Sequence, residues 1–363
     1  MDIAIIGLPQ SGKTTVFNAL TRGSADTTGA SGSATELHVG VVKVPDPRLD
    51  VLTQLYHPKK TTPAEIKYWD LPGPEALAKS QGISGRYLNT LQSADAFLIV
   101  IRAFNNPAVV HPLETVNPAR DVETMLSELT FADLEVMERA VVRLEDNVKK
   151  AKPAERPAIL RHQEAAQKVR TALEAGIPLR QQPVTDSEHA FLVNYQLLTG
   201  KPVIFVFNTD ESGPEIRLDQ LAVDLSNAGV VGEVCLSARL EAELALMSDA
   251  EEAEFRADME LPASARSRVI QVTYQTVGLV SFLTVGPDEV RAWSVRAGIP
   301  AQEAAGTIHT DFIRGFIRAE VIPYQELTRC GSVAQGRKEG VLRSEGKTYT
   351  VQDGDVINFL INV

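Results

Sequence analysis

Short apolar runs, each followed by a polar or glycine-bearing turn, recur along the chain and set its predicted architecture. The runs that fit buried or half-buried strands occupy 3–7, 38–44, 65–70, 96–101, 203–207 and 231–236. The first run leads into a glycine-bearing turn, and TTVFNALTR, a helical pattern over about 14–22, follows that turn. Strands that alternate with helices in this way predict an α/β sheet domain.

A helical pattern interrupts this series between the fourth and fifth runs. From 119 to 152, apolar residues recur at spacings of three and four, at Val122, Leu126, Leu129, Leu134, Met137, Val141, Leu144 and Val148. The segment KPAERP breaks the pattern, and AILRHQEAAQKVRTALEAG then continues helically to Gly176. We therefore predict a helical hairpin of the coiled-coil type, inserted into the α/β domain over 119–182.

The C-terminal part of the chain returns to strand-like alternation. LVSFLTV, EVRAWSV, GFIRAEVI, KTYTV and VINFLINV accompany a single helical stretch, AQEAAGTIHTDFIRG. This order fits a small mixed sheet of β-grasp (ubiquitin-like) topology, which is more typical of a binding module than of a second active site. The predicted domains are an α/β domain at 1–118 and 183–277, the inserted hairpin at 119–182 and a tail domain at 278–363.

Composition places the chain among globular proteins of about two or three domains, because 44% of its 363 residues are hydrophobic and 23% are charged. The longest apolar runs have the length of core strands and are far too short to span a membrane. The N-terminus carries no basic leader, so a secretory signal is not expected. Cys235 and Cys330 are too few for a disulfide scaffold, which fits a reducing cytoplasm.

The net charge of −11 argues against a generic polyanion binder, so any nucleic-acid contact must come from a local patch. One such patch is the break in the hairpin, where basic residues face only Glu155 and give a net charge of +4. The basic residues are Lys149, Lys150, Lys152, Arg156 and Arg161. Two interpretations stand, namely a solvated hairpin tip or a contact with RNA.

A phosphate-binding loop follows the first strand. GLPQSGKT matches the pattern G-x-x-x-x-G-K-[ST] in full. Its glycines allow backbone N–H groups to converge on phosphate oxygens, Lys13 would neutralise the β and γ phosphates, and Thr14 would place its hydroxyl on Mg²⁺. The predicted phosphate-binding residues are Gly7, Pro9, Gln10, Ser11, Gly12, Lys13, Thr14, Thr15 and, from the next motif, Gly73. The loop between a strand and a helix predicts nucleotide binding.

The third strand ends in Asp70-x-x-Gly73, the next part of the predicted site. Asp70 could hold Mg²⁺ through water, and the N–H of Gly73 could meet the γ-phosphate. Residues 23–35 are small, polar and without periodicity, as expected of a switch loop that closes on Mg²⁺. Thr35 is our candidate for that metal contact, and a linker threonine without a role is the other interpretation. The alternatives within the loop are Thr27, Thr28 and Ser33.

Two motifs at the ends of the fifth and sixth strands would hold the base. Residues 208–211 stand where translational GTPases have N-K-x-D, and Ser237-Ala238 stands where they have S-A-[KL]. Guanine offers N1–H and N2–H₂ donors that the usual Asp accepts together, but Glu211 is one methylene longer and lets adenine compete. Guanine stays open, since Asp210 or a shifted Glu211 could still reach it. The predicted base-binding residues are Asn208, Thr209, Glu211, Ser237 and Ala238.

These segments together resemble the YchF group of Obg-like ATPases over nearly the whole chain. The matching segments are GLPQSGKTTVFNALT, VGVVKVPDPRLDVL, DLPG, NPARDVETMLSELTFADLEVMERAVVRL, KPVIFVFN, LSARLEAEL, VRAWSVRAG, AAGTIHTDFIRGFIRAEVI and EGKTYTVQDGDVINFLINV. The tail resembles the TGS module. The resemblance implies a Mg²⁺-dependent P-loop triphosphatase that hydrolyses ATP in preference to GTP. We expect a cytoplasmic monomer without a membrane segment, which meets the ribosome or RNA through its hairpin and TGS domain.

The catalytic candidates follow partly from this resemblance. Ras-like enzymes place a water-orienting Gln directly after D-x-x-G, where this chain has Pro74. In the YchF group a loop histidine has been proposed instead. Its match is His111, whose neutral imidazole could accept from the attacking water. A surface-loop histidine without a role is the alternative. His111 and Lys13 are thus the predicted catalytic residues.

Departures from the family pattern bear on turnover. Gln10 replaces an Asn that can bind K⁺ in cation-stimulated members, which weakens the case for K⁺ dependence. The switch segment SATELHVG is shorter than in the family, and PEALAKSQG replaces a Gly-Ala-rich run. These differences keep open two alternatives, a GTP-binding protein and a nucleotide-dependent ribosome or RNA adaptor with little intrinsic hydrolysis. A small-molecule kinase is disfavoured, because the sequence contains no separate acceptor-site motif.

Overall fold

Two β-sheets organise the computed structural model, which describes residues 1–23, 37–71, 87–221, 223 and 231–362. The strands are β1 (Asp2–Ile6), β2 (His38–Lys43), β3 (Lys60–Thr62), β4 (Glu65–Asp70), β5 (Ala96–Ala103), β6 (Val203–Thr209), β7 (Val231–Leu236), β8 (Leu279–Thr284), β9 (Glu289–Arg296), β10 (Phe316–Pro323), β11 (Arg343–Glu345) and β12 (Asp355–Ile361).

The helices are α1 (Lys13–Thr21), α2 (Pro47–Tyr56), α3 (Leu88–Ser93), α4 (Pro118–Lys150), α5 (Arg156–Glu174), α6 (Asp186–Leu192), α7 (Ala238–Leu244), α8 (Asp249–Asp258), α9 (Ala265–Val277), α10 (Ala301–Ile308), α11 (Asp311–Gly315), α12 (Tyr324–Cys330) and α13 (Val333–Lys338). Within the described ranges, no helix combines the length and the apolar character that a membrane crossing requires.

The first sheet has the strand order β2-β4-β1-β5-β6-β7. The ladders that join β1 to β4 and β5, and β6 to β5 and β7, are parallel. One face of the sheet packs against α4, where Ile99, Phe205 and Phe207 meet Val122 and Leu129 in one buried cluster. Because the strands are parallel, their carboxyl ends share one edge, the usual place for a ligand in an open α/β sheet. The predicted motifs follow these carboxyl ends.

The predicted helical hairpin is confirmed, with α4 and α5 as its two arms. α4 begins after the N-cap Asn117, whose side chain accepts from the backbone N–H of Arg120 at 3.2 Å. Residues beyond the predicted boundary complete its packing, since Leu192 of α6 joins Met137 and Val169 in one buried cluster. The insert is therefore a pair of long helices with a third, short helix against its root.

A buried carboxylate fixes the root of the hairpin. Asp133 of α4 accepts from the backbone N–H groups of Leu198 and Thr199, both at 2.7 Å, and has no exposed surface. Burial raises the pKa of Asp133 to about 6, against the opposing effect of these hydrogen bonds. Arg180 donates to the carbonyl of Thr199 at 2.9 Å and completes the link between the hairpin and the turn before β6.

The second sheet has the order β11-β10-β12-β8-β9-β3 and mixes parallel with antiparallel ladders. On one face, Phe282, Val321 and Ile357 form a buried cluster with Ala301 and Ala305 of α10. A mixed sheet with a helix across it confirms the fold class predicted for the tail.

A short strand from the first half of the chain belongs to this second sheet. β3 pairs in parallel with β9, and the hydroxyl of Thr62 donates to Glu289 at 2.6 Å. One compact unit contains Met1, 41–66 and 273–363, and the other contains 2–40 and 67–272. From the sequence, 41–66 falls within the predicted α/β domain. The strand KTT at 60–62 is a short polar segment without the alternation that marks a strand, so the pattern does not indicate that it pairs with the tail.

Candidate nucleotide-binding site

The phosphate loop requires glycine at two of its positions. A Cβ on Gly7 would lie 2.4 Å from the carbonyl oxygen of Val100, and one on Gly12 would lie 2.3 Å from Nδ2 of Asn208. The backbone at Gly12 and at Gln10 has φ of 95° and 60°, in the left-handed region. The loop is thus pressed against β5 and β6, which leaves no room for larger side chains at these two glycines.

The other predicted residues of the loop differ in exposure. Pro9 and Thr15 are half-buried, Gln10 is exposed and Ser11 is buried. Within the described part of the chain, the hydroxyl oxygen of Ser11 has no hydrogen-bond partner, which is uncommon for a buried polar atom.

Lys13 opens α1 and folds back over the loop. Its ammonium group donates to the carbonyls of Gly7 at 3.1 Å and Leu8 at 3.0 Å, and the residue is only 7% exposed. Burial lowers the pKa of Lys13 to about 8, while the nearby charge of Asp70 acts in the opposite direction. The positive charge therefore rests on neutral carbonyl acceptors, and phosphate oxygens would be stronger partners for it.

Asp70 ends β4 beside this lysine. Burial raises the pKa of Asp70, and the hydroxyl of Thr14, the charge of Lys13 and the ring of His38 oppose the rise. Nδ1 of His38 lies 3.6 Å from Oδ2 of Asp70. The other carboxylate oxygen, Oδ1, is buried without a hydrogen-bond partner among the residues that the structure describes. Asp70 is thus a buried carboxylate with one unused oxygen.

The residues around Asp70 fit Mg²⁺. An orphaned carboxylate oxygen and a neighbouring hydroxyl, from Asp70 and Thr14, are oxygen donors of the kind that Mg²⁺ selects. The described residues contain no group of three or more His, Cys, Asp or Glu side chains suited to a metal. Such a group is not needed here, because Mg²⁺ at phosphate sites takes one or two protein oxygens and fills the rest with phosphate and water. Thr35, its alternatives and Gly73 lie outside the described residues.

Asn208 joins three of the predicted motifs at the end of β6. Its Nδ2 donates to the carbonyl of Ser11 at 3.0 Å, and its Oδ1 accepts from the N–H of Ala238 at 3.0 Å. The residue is 5% exposed. The side chain predicted to bind the base therefore also braces the phosphate loop against the start of α7.

Three of the other base-binding candidates, Thr209, Glu211 and Ser237, line a cavity of about 300 Å³ together with Cys235, Glu241 and Arg268, whereas Ala238 is fully buried. The hydroxyl of Thr209 donates to the carbonyl of Leu236 at 3.4 Å. Ser237 caps α7 by accepting from the N–H of Leu240 at 3.5 Å. Glu211 is exposed. Both hydroxyls thus serve the local backbone, whereas the carboxylate of Glu211 reaches solvent.

The loop after β5 supplies site residues that the sequence analysis missed. Cε1 of Phe104 lies 4.0 Å from the Cβ position of Gly12, and the N–H of Asn105 donates to Asp210 at 3.2 Å. Arg102 is 2% exposed and donates to carbonyls of this loop, including that of Val109 at 2.9 Å. An arginine at the carboxyl end of the apolar run AFLIVI is the signal that could have found this loop.

His111 lies in the same loop, buried against α4. Its Nε2 is 2.9 Å from Oδ2 of Asp121, and its Nδ1 accepts from the N–H of Leu113 at 3.0 Å. Because Nδ1 is the acceptor, the neutral ring carries its hydrogen on Nε2 and donates it to Asp121. His111 is not a surface residue, since it is 4% exposed, and its catalytic role stays a prediction. In this conformation neither ring nitrogen is free to accept from water, so the predicted catalytic role requires the loop to rearrange.

The strand order of the first sheet and the placement of the glycine loop, Asp70, Asn208 and Ser237 at one edge define a P-loop nucleotide-binding protein of the G-domain class. Comparison with known families agrees. A family model described as a 50S ribosome-binding GTPase matches residues 2–139, and a model of the YchF GTPase C-terminal region, described as a protein of unknown function, matches 279–362.

The chain belongs to the YchF/Obg-like ATPase family. It is 36% identical to the ribosome-binding ATPase YchF of Bacillus subtilis over 100% of both chains. It is 38% identical to the ribosome-binding ATPase YchF of Escherichia coli O157:H7, over 99% of this chain and 98% of that one. It is 35% identical to Obg-like ATPase 1 of Oryza sativa subsp. japonica, over 100% of this chain and 92% of that one. The structure of the Schizosaccharomyces pombe YchF GTPase superposes with a TM-score of 0.79 at 28% identity, over 99% of this chain and 97% of that one.

Proposed function

We propose that this protein is a Mg²⁺-dependent nucleotide switch that hydrolyses ATP in preference to GTP and acts with ribosomes in the cytoplasm. The observation that carries the proposal is the brace formed by Asn208, which ties the phosphate loop to the start of α7 beside a motif that ends in Glu211. Full-length relatives named ribosome-binding ATPases support both the nucleotide and the partner.

The phosphate end of the site binds and orients the triphosphate. Lys13, now on the carbonyls of the loop, would turn to the β and γ phosphates. Thr14 and the orphaned Oδ1 of Asp70 would hold Mg²⁺, which when bound neutralises charge on the phosphate oxygens. Thr35 and Gly73 are proposed to complete the contacts to metal and γ-phosphate.

The base end of the site selects adenine. A shorter carboxylate would accept the N1–H and N2–H₂ of guanine together, and Glu211 is one methylene too long for that geometry. Loss of a bidentate base contact is worth about 1–3 kcal/mol, enough for adenine to compete. Thr209, Ser237 and Ala238 would frame the base around the cavity beside Asn208.

A nucleotide-dependent adaptor with little intrinsic hydrolysis is the second candidate function. The hydrogen bonds of His111 to Asp121 and Leu113 favour it, because they occupy both ring nitrogens. A partner that rearranges this loop would convert the adaptor into an active triphosphatase. In either candidate function GTP could take the place of ATP, and the two versions would then differ only in the base that the site binds.

The ribosome contact is proposed for the hairpin tip and the TGS domain. The basic residues of the tip are all exposed, and one of them, Lys149, forms an ion pair with Asp146 at 3.1 Å. Exposed positive charge at the end of a long helical arm suits phosphate contacts with RNA. A monomer is the form proposed for this switch, and Gln10 weakens the case for a K⁺ requirement.

Hydrolysis of ATP and GTP, measured with and without 50S ribosomal subunits, tests the proposal. The Lys13→Ala variant supplies the blank for contaminating activity. The proposed switch predicts a higher kcat/KM for ATP than for GTP and a rise in kcat with subunits. Salt-sensitive cosedimentation without any hydrolysis would favour the adaptor, and neither binding nor hydrolysis would contradict both functions.

A further inference from the structure

One carboxylate in the wall of the cavity beside Asn208 is buried among arginine side chains. Glu241 of α7 is 7% exposed. Its Oε2 accepts from Arg256 at 2.5 Å and from the backbone N–H of Ala265 at 2.9 Å, and its Oε1 lies 3.5 Å from Arg268. A buried charge with so many partners is costly to disturb, because removing it leaves the cations uncompensated.

This carboxylate lies one helical turn below the residues that meet Asn208. The N–H of Glu241 donates to the carbonyl of Ser237 at 3.0 Å, and the next residue, Ala238, donates to Asn208. Arg268 also donates to the carbonyl of Cys235 at 2.7 Å, within the strand that leads into Ser237. The ion network therefore holds both the strand before the fifth motif and the helix after it.

The same network continues to the helix that follows the phosphate loop. Arg256 donates to Glu252 at 2.9 Å, and Arg22, at the C-terminal end of α1, donates to Glu252 at 3.2 Å. The ends of α1 and α7 are thus joined through α8. The network therefore links the C-terminal end of the helix that follows the phosphate loop to the first turn of the helix that follows the base motif.

We propose that Glu241 is a positioning residue for base recognition, which acts by holding Ser237 and Ala238 against Asn208. The inference rests on the proposed function in taking ATP as the ligand. It differs from a general role in folding, because it predicts a loss confined to ligands that carry a base. Inorganic tripolyphosphate, which uses only the phosphate loop, should not sense the change.

The test compares Glu241→Gln with Glu243→Gln on the same helix. Glu243 is a matched control because its carboxylate is 61% exposed and pairs with Arg239, which is 81% exposed, an interaction of little energetic value. Calorimetric titration with Mg²⁺ measures the Kd for ATP, for GTP and for tripolyphosphate, and circular dichroism during heating reports on the fold of each variant.

We expect Glu241→Gln to raise the Kd for ATP roughly tenfold, in line with the loss of hydrogen bonds to a charged group, and to leave the tripolyphosphate Kd within about twofold of wild type. Glu243→Gln should match wild type with both ligands. An unchanged ATP Kd in Glu241→Gln would overturn the proposal. An equal loss with both ligands would also overturn it, because the role would then be general.

A second variant covers the case in which Glu241→Gln does not fold. Glu241→Asp keeps the charge and withdraws the carboxylate by one methylene. We therefore expect a smaller loss of affinity for ATP than in Glu241→Gln, with no loss for tripolyphosphate. Equal losses of affinity for ATP and tripolyphosphate would again refute the positioning role. Failure of the proposed function looks different. A wild-type protein that prefers GTP would refute adenine selection, yet the gap between nucleotide and tripolyphosphate would still shrink in the Glu241 variants.

Discussion

Replacement of Asn208 by alanine is the perturbation with the most direct structural consequence. The amide makes hydrogen bonds of 3.0 Å to the carbonyl of Ser11 and from the N–H of Ala238, in a position 5% exposed to solvent. Alanine removes both bonds and leaves two buried backbone groups without a partner. The phosphate loop and the base motif would then lose their direct hydrogen-bonded link.

The magnitude follows from these two bonds. Each hydrogen bond has a net worth of about 1 kcal/mol, and an unpaired buried group costs about 1–3 kcal/mol. A local loss of about 1.4 kcal/mol at the N–H of Ala238 corresponds to roughly tenfold faster hydrogen exchange of that amide. Binding of Mg²⁺-ATP should weaken by at least a similar factor, because both halves of the site lose their common support.

Hydrogen–deuterium exchange read by mass spectrometry measures this effect at the start of α7. Asn208→Asp provides a matched comparison, since its Oδ1 can still accept from Ala238 while its second oxygen faces the carbonyl of Ser11. The alanine variant should lose protection at both places and the aspartate variant only at the phosphate loop. Unchanged exchange at Ala238 in the alanine variant, with ATP affinity within twofold of wild type, would refute the brace.

Three further predictions use buried titratable groups. Because burial lowers the pKa of Lys13 to about 8, the free protein loses this positive charge as pH rises through 8. The Kd for Mg²⁺-ATP, measured by calorimetry, should therefore increase between about pH 7.5 and 9. A Kd that does not change with pH over this range would contradict the prediction. Asp121→Ala removes the carboxylate that accepts the hydrogen bond from Nε2 of His111, so the ring is free to rearrange towards the nucleotide. Single-turnover hydrolysis without ribosomes should therefore become several-fold faster. A rate equal to that of wild type would remove the loop rearrangement from the mechanism. Asp133→Asn keeps one of the two hydrogen bonds that the carboxylate accepts, and it should lower the unfolding free energy of the hairpin root by about 1–3 kcal/mol. Hydrogen exchange of the 198–199 amides should then be faster than in wild type. Unchanged exchange of these amides would refute the prediction.

Protonation of Asp133 also has a defined sign. Its folded pKa of about 6 lies above the ordinary 3.8, so the folded protein binds more protons than the unfolded chain between these values. This group therefore adds stability as pH falls from about 6 towards 4, and the addition is lost as pH rises through 6. The Asn variant lacks this contribution, so the difference in stability between wild type and variant should change with pH in that window.

The predicted elements succeeded where local patterns carry the information. The apolar runs identify the strands of the first sheet, and the glycine motif identifies the loop because Gly7 and Gly12 have no space for a Cβ. The spacing in 119–152 identifies α4. For the apolar runs and for α4 the physical cause acts between residues close in sequence, whereas the space at Gly7 and Gly12 is limited by Val100 and Asn208, which are distant in the chain.

The parts that sequence reasoning missed depend on partners distant in the chain. β3 is a strand only because β9 offers a free edge. His111 is buried because Asp121 and Leu113 satisfy both ring nitrogens. The cations around Glu241 come from two later helices, and no spacing within the motif indicates them.

Equilibrium binding of fluorescent ATP and GTP analogues with Mg²⁺, to wild type and to Glu211→Asp, tests the central claim most directly. The account predicts at least roughly tenfold preference for ATP in wild type and a shift towards GTP in the variant, whose shorter carboxylate can meet N1–H and N2–H₂ of guanine together. Preference for GTP in wild type would contradict adenine selection and return the motif at 208–211 to ordinary GTPase behaviour.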